Sequence, residues 1–61
     1  MTANDLIRRL EANGWYFVRQ SGSHKMYKHN ERTNTISVPD HGKKDLGPGL
    51  VNSILKQAGL K

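Results

Sequence analysis

The sequence contains no cysteine, and this absence excludes disulfides and thiolate metal sites. No apolar run approaches the roughly 20 residues that a membrane-spanning helix needs. The first ten residues, MTANDLIRRL, contain no long apolar stretch, so we expect no cleaved secretory signal. The absence of cysteine suits a reducing compartment, and we expect a cytoplasmic protein without a membrane partner.

Hydrophobic residues are also scarce, at 34% of a 61-residue chain, which is near the lower size limit for a domain that folds alone. Such a composition is shared with disordered chains. The apolar residues here are regularly spaced, however, and this spacing predicts a folded chain. We therefore expect a single domain over residues 1–61, with a thin core and a functional site on an open surface.

Acidic residues are few. Five of them stand against ten lysines and arginines, for a net charge of +5. A domain this basic favours a polyanionic partner such as nucleic acid. On composition alone, a basic surface without a specific partner is the alternative.

The spacing of apolar residues predicts two helices. Thr2-x-x-Asp5 resembles a capping box before a helix over residues 3–12, and Asn13-Gly14 is a natural helix end. Pro48 can begin the second helix and Gly59 can close it. Its apolar stripe consists of Leu50, Val51, Ile54, Leu55 and Ala58.

Three short segments between these helices have strand character, at residues 15–20, 24–29 and 35–39. Short connections favour an antiparallel meander, and both helices can cover one face of it. The predicted fold class is α+β, in the α-β-β-β-α order of the double-stranded-RNA-binding fold. Trp15, Tyr16 and Phe17 could stack on bases, but in so small a domain we expect at least two of them in the core.

The histidines are His24, His29 and His41. His24 and His29 are five residues apart and would point to opposite faces of one strand, which argues against a shared metal ion. Metal-free RNA cleavage suits His24 better, because RNA supplies its own 2′-hydroxyl nucleophile and a neutral imidazole can accept the proton. The second proton transfer would need help from water, a lysine or Tyr27.

Six of the ten basic residues lie between Arg19 and Lys44, where RNA phosphates could bind, although ordinary solvated charge is the alternative. The acids Asp40 and Asp45 are interpreted as capping or solubilising residues. The candidates for contact with RNA are Arg19, Ser23, Lys25, Lys28, Lys43 and Lys44, with Gly22 forming the turn before His24. A non-catalytic module that binds double-stranded RNA, or a protein-interaction domain, would share this fold and charge.

The segment GSHKMY at residues 22–27 resembles the HicA, or YcfA-like, toxin family. NGW at 13–15 and ILKQAGL at 54–60 are also similar to segments of that family. Between them, Val38-Pro39 is followed by His41, Lys43 and Leu46 in a similar pattern. The resemblance therefore covers nearly the whole chain in the right order.

This resemblance implies a double-stranded-RNA-binding-like fold and an endoribonuclease toxin, an mRNA interferase that inhibits translation and growth. It implies an mRNA substrate, no metal or other cofactor, and a HicB-type antitoxin that covers the active face. The family's catalytic histidine, in a Gly-Ser-His motif, corresponds to His24. One departure is Leu50 after Gly49, where the family often has threonine. It affects the start of the last helix or a phosphate contact and leaves His24 unchanged.

Overall fold

Two helices enclose three strands in sequence, as the apolar spacing predicts. The computed structural model describes residues 1–40 and 44–61. Its elements are α1 (Ala3–Ala12), β1 (Trp15–Ser21), β2 (His24–His29), β3 (Ile36–Pro39) and α2 (Pro48–Gln57). No helix in these two ranges is long and apolar enough to cross a membrane. The predicted α+β order is confirmed, and each predicted strand boundary lies within one residue of the observed one.

Local hydrogen bonds cap the start of α1 and the end of α2, as the sequence indicates. The Thr2 hydroxyl accepts from the Asp5 N–H at 3.2 Å, and the Asp5 carboxylate accepts from the Thr2 N–H at 3.3 Å, so the capping box is complete. Hydrogen bonding to the Asp5 carboxylate, first by the Thr2 backbone N–H and then by the Thr2 side chain, lowers the pKa of Asp5. At the end of α2, Gly59 has a φ of +74° and the Leu60 N–H donates to the Leu55 carbonyl at 2.9 Å. This is a Schellman ending.

The three strands form one antiparallel sheet in the order β1-β2-β3, so β2 is central and the other two are edges. On β2, Tyr27 is only 3% exposed and packs in the core. Its cross-strand partners are Phe17 on β1 and Ile36 on β3. Tyr27 therefore defines the face of the sheet that the helices cover.

Both helices pack on this same face and share one apolar core with it. The two helices contribute Leu6, Leu10, Val51, Ile54 and Leu55. The sheet contributes Trp15, Tyr27, Ile36 and Val38. Burial of these side chains is the main stabilising term for the fold, and it leaves the other face of the sheet without a covering layer.

Two expectations about the core are wrong. Of the three consecutive aromatic residues, only Trp15 is buried, while Tyr16 is 45% and Phe17 is 49% exposed. Tyr16 points to the side of the sheet that the helices do not cover. Phe17 lies on the helix side at the edge of the sheet, where it packs edge-on against Tyr27 but stays half exposed. Leu50, assigned to the apolar stripe of α2, is 41% exposed: it lies in the first turn of the helix, and the buried stripe begins at Val51.

Candidate nucleic-acid interface

A tight turn sets the start of β2. Ser21 pairs with His24, so Gly22 and Ser23 form a two-residue hairpin loop. Gly22 has a φ of +59°, whereas no residue other than glycine has a positive φ within residues 1–40 and 44–61. This combination is typical of a type II′ turn, which needs glycine at its first central position. The Gly-Ser-His motif thus makes His24 the first residue of the central strand.

Alternation along β2 decides where His24 points. Because Tyr27 faces the helices, His24, Met26 and Lys28 face the uncovered side of the sheet. We call this side the open face. Its residues are Tyr16, Arg19, Ser21, His24, Met26, Lys28, Ser37 and Pro39.

A β-bulge brings Arg19 to the same side. The pairing shifts between Phe17 and Arg19, which oppose the adjacent residues Tyr27 and Met26, and leaves Val18 as the extra residue. In a regular strand Arg19 would share the helix face with Phe17, since the two are two positions apart with only Val18 between them. The bulge reverses this and makes Arg19 a diagonal cross-strand neighbour of His24, at roughly 7–8 Å between Cα atoms.

Lys28 lies farther from His24 than Arg19 does. It is exposed on the open face, four residues along β2, at about 13 Å between Cα atoms. Arg19 therefore occupies the middle of this face and Lys28 the end farthest from His24. None of its strand positions carries an acidic residue, so the local field favours a phosphate backbone.

The other predicted cations are placed differently. Lys25 lies on the helix face, where its Nζ is 3.7 Å from the Asp40 carboxylate, so the structure does not bring it together with His24. Lys44 is exposed in the connection before α2. Lys43 and His41 lie outside the described residues.

Asp40 is a site residue that sequence reasoning missed. Its N–H donates to the Ser23 carbonyl at 2.6 Å. The Gln20 amide donates both to the Asp40 carboxylate and to the Gly22 carbonyl, each at 3.1 Å. Asp40 and Gln20 thereby hold the turn that aims His24. They are 20 residues apart, and no local pattern links them.

His29 ends β2 on the helix face. Its Nδ1 accepts from the Glu31 N–H at 3.0 Å, so Nδ1 carries no proton, and its Nε2 donates to the Asn13 carbonyl at 2.9 Å. The ring packs edge-on against Trp15, with centroids 5.3 Å apart. A Cβ on Gly14 would lie 2.6 Å from Nε2, so this corner also requires glycine. The predicted separation of the two histidines is confirmed, and His29 is structural.

The open face can supply acid–base and electrostatic chemistry. His24 is exposed and provides an imidazole, Arg19 provides a planar cation beside it, and Ser21 provides a hydroxyl on its cross-strand side. Tyr27 cannot assist, since it faces the core, where burial raises the pKa of its hydroxyl. Within residues 1–40 and 44–61, no three potential metal-ligating side chains lie together.

Comparison with known proteins gives two matches. The family model of the HicA toxin of bacterial toxin–antitoxin systems matches residues 3–60. The chain is also 41% identical over 61 residues to the probable mRNA interferase HicA of Pseudomonas fluorescens (strain Pf0-1), with all of this chain and 98% of that protein covered. Both matches extend over all five elements and include the hairpin that carries His24.

Proposed function

The chain belongs to the HicA family of bacterial toxin–antitoxin toxins, and from this premise we propose that it cleaves mRNA with His24 as the acid–base group. The observation that carries the proposal is the position of His24 on the acid-free open face, diagonally beside Arg19. An imidazole next to a cation is what RNA transesterification needs from a protein.

The reaction uses the 2′-hydroxyl of the RNA as nucleophile. Neutral His24 accepts the hydroxyl proton while the 2′-oxygen bonds to the adjacent phosphorus and the bond from phosphorus to the 5′-oxygen breaks. The products are a 2′,3′-cyclic phosphate and a 5′-hydroxyl. Arg19 stabilises the negative charge that develops on the phosphoryl oxygens.

The departing 5′-oxygen also needs a proton. Tyr27 and Lys25 face the helices, and Lys28 is about 13 Å away along the strand. Among the described residues these side chains are poorly placed to give it, and we propose that a water molecule on the open face supplies this proton.

A HicB-type antitoxin covers the open face in this proposal and blocks RNA access. A face with Arg19 and Lys28 and no acidic residue favours an acidic partner and speeds its association. Since mRNA is the substrate, the site of action is the cytoplasm. Charge reversal at Lys28 is expected to weaken the binding of RNA and antitoxin together.

The test is a cleavage assay on a defined RNA in the presence of EDTA. It compares the parent with His24→Ala and with Arg9→Ala, which removes an exposed cation from α1. The loss of His24 is expected to lower kcat by about 10²–10⁴-fold, whereas Arg9→Ala cleaves like the parent. Mass spectrometry should find cyclic-phosphate ends. Parental cleavage by His24→Ala, or salt-sensitive binding without cleavage by any variant, would overturn the proposal and favour a non-catalytic RNA-binding module.

A further inference from the structure

The end of the open face that lies farthest from His24 carries an aromatic side chain that the core does not use. Tyr16 pairs directly with Lys28 and is 45% exposed. Its two aromatic neighbours are both engaged, since Trp15 is buried and Phe17 contacts Tyr27 edge-on at 5.9 Å. Tyr16 therefore offers a ring beside a lysine on the surface that faces RNA.

Three cross-strand rows connect this ring to His24. The first row holds Tyr16 and Lys28, the second holds Arg19 and Met26, and the third holds Ser21 and His24. Each of the first two rows presents a cation. The phosphates of an RNA strand that runs parallel to β2 would thus lie near Lys28 and Arg19, between Tyr16 and the reacting linkage at His24.

We propose that Tyr16 stacks on an unpaired base of the RNA substrate while the linkage to be cleaved lies at His24. The substrate is then a single-stranded segment. This inference rests on the proposed function. Aromatic rings bind single strands by stacking on exposed base faces, and paired bases inside a duplex do not offer those faces. The lysine beside the ring adds a phosphate contact without base preference.

The distance along the strand gives the proposal a length requirement. The row of Tyr16 and the row of His24 are about 13 Å apart at ~3.3 Å per residue, several times the ~3.4 Å rise between stacked nucleotides. The base on Tyr16 therefore lies outside the dinucleotide that is cleaved. A longer oligonucleotide gains a contact that a dinucleotide cannot make.

The experiment measures kcat/KM for a dinucleotide and for a hexanucleotide that contains the same linkage. In the parent the hexanucleotide is favoured, and Tyr16→Ala is expected to lower the hexanucleotide-to-dinucleotide ratio about tenfold, through KM. Tyr16→Phe keeps the ratio because it retains the ring. Phe17→Ala, which removes an equally exposed ring from the helix face, also keeps it. An unchanged ratio in a folded Tyr16→Ala protein would overturn the proposal.

A binding measurement separates this proposal from the proposed function. In a His24→Ala background, fluorescence anisotropy follows a labelled single strand and the same strand in a duplex. Tyr16→Ala should weaken binding of the single strand about tenfold and leave the duplex nearly unaffected. Equal effects on both, or none on the single strand, would overturn the stacking role. This readout requires no cleavage, so failure of His24 as the acid–base group would not produce the same result.

Discussion

His24 and His29 begin and end the same strand, yet they belong to opposite faces and have opposite surroundings. The ring nitrogens of His29 are both held by the backbone, one by the Asn13 carbonyl and the other by the Glu31 N–H. No described residue hydrogen-bonds the ring of His24. One imidazole is therefore fixed as a structural part, while the ring of the other is exposed on the open face, where a ligand can contact it.

A domain of this size builds its core and its candidate site from alternate residues of the same strands. The side chains that the helix face contributes to the core pack against the helices. The strand residues that alternate with them point to the open face, where they can contact a ligand. The period of two along a strand makes this division automatic. The bulge at Val18 is the exception that moves a cation from one side to the other.

The largest expected difference between the faces is in stability. Ile36 is fully buried, and its neighbour Ser37 points to the open face. Ile36→Ala should lower the free energy of unfolding by about 2–5 kcal/mol, nearly all that a core this small supplies. Ser37→Ala should change it by less than about 0.5 kcal/mol. Urea unfolding measures both, and similar values for the two variants would contradict the assignment of faces.

The two histidines provide the next contrast. His29→Ala loses two hydrogen bonds and the contact with Trp15, so the unfolding free energy should fall by about 1–2 kcal/mol. His24→Ala should leave it unchanged within about 0.5 kcal/mol. Thermal denaturation compares the pair, and nitrogen NMR should show His29 protonated at Nε2. Greater destabilisation by His24→Ala would reverse the proposed roles.

Much of the fold follows from signals that are local in the sequence. The capping box at Thr2, the glycine-ended helices and the alternation in β3 depend on neighbours within a few residues, and the sequence predicts them correctly. The face of β2 does not follow in this way. Met26 and Tyr27 are adjacent and both fit a core, so the choice depends on pairing with β1 and β3.

The candidate site was less predictable than the fold. The Gly-Ser-His resemblance identifies His24 in the sequence, but Val18 gives no sign of a bulge, because no glycine or proline marks it. The sequence therefore could not predict that the Arg19 side chain lies on the open face. The hydrogen bonds of Asp40 to the turn join residues distant in sequence. The same register explains why Lys25, adjacent to His24, lies on the other face.

The smallest expected contrast is between two cations on opposite faces, Arg19 and Lys25. Arg19→Ala removes a phosphate contact from the open face, so RNA affinity should fall several-fold and the slope of log affinity against log salt should drop by about 1. Lys25→Ala breaks an ion pair with Asp40 and should alter neither quantity much, because the lysine already has a partner on the helix face. Anisotropy titrations between low and moderate salt, in a His24→Ala background that prevents cleavage, measure both effects. Equal slopes for the two variants would mean that the bulge does not direct Arg19 toward RNA, and the electrostatic part of the site would have to be placed elsewhere.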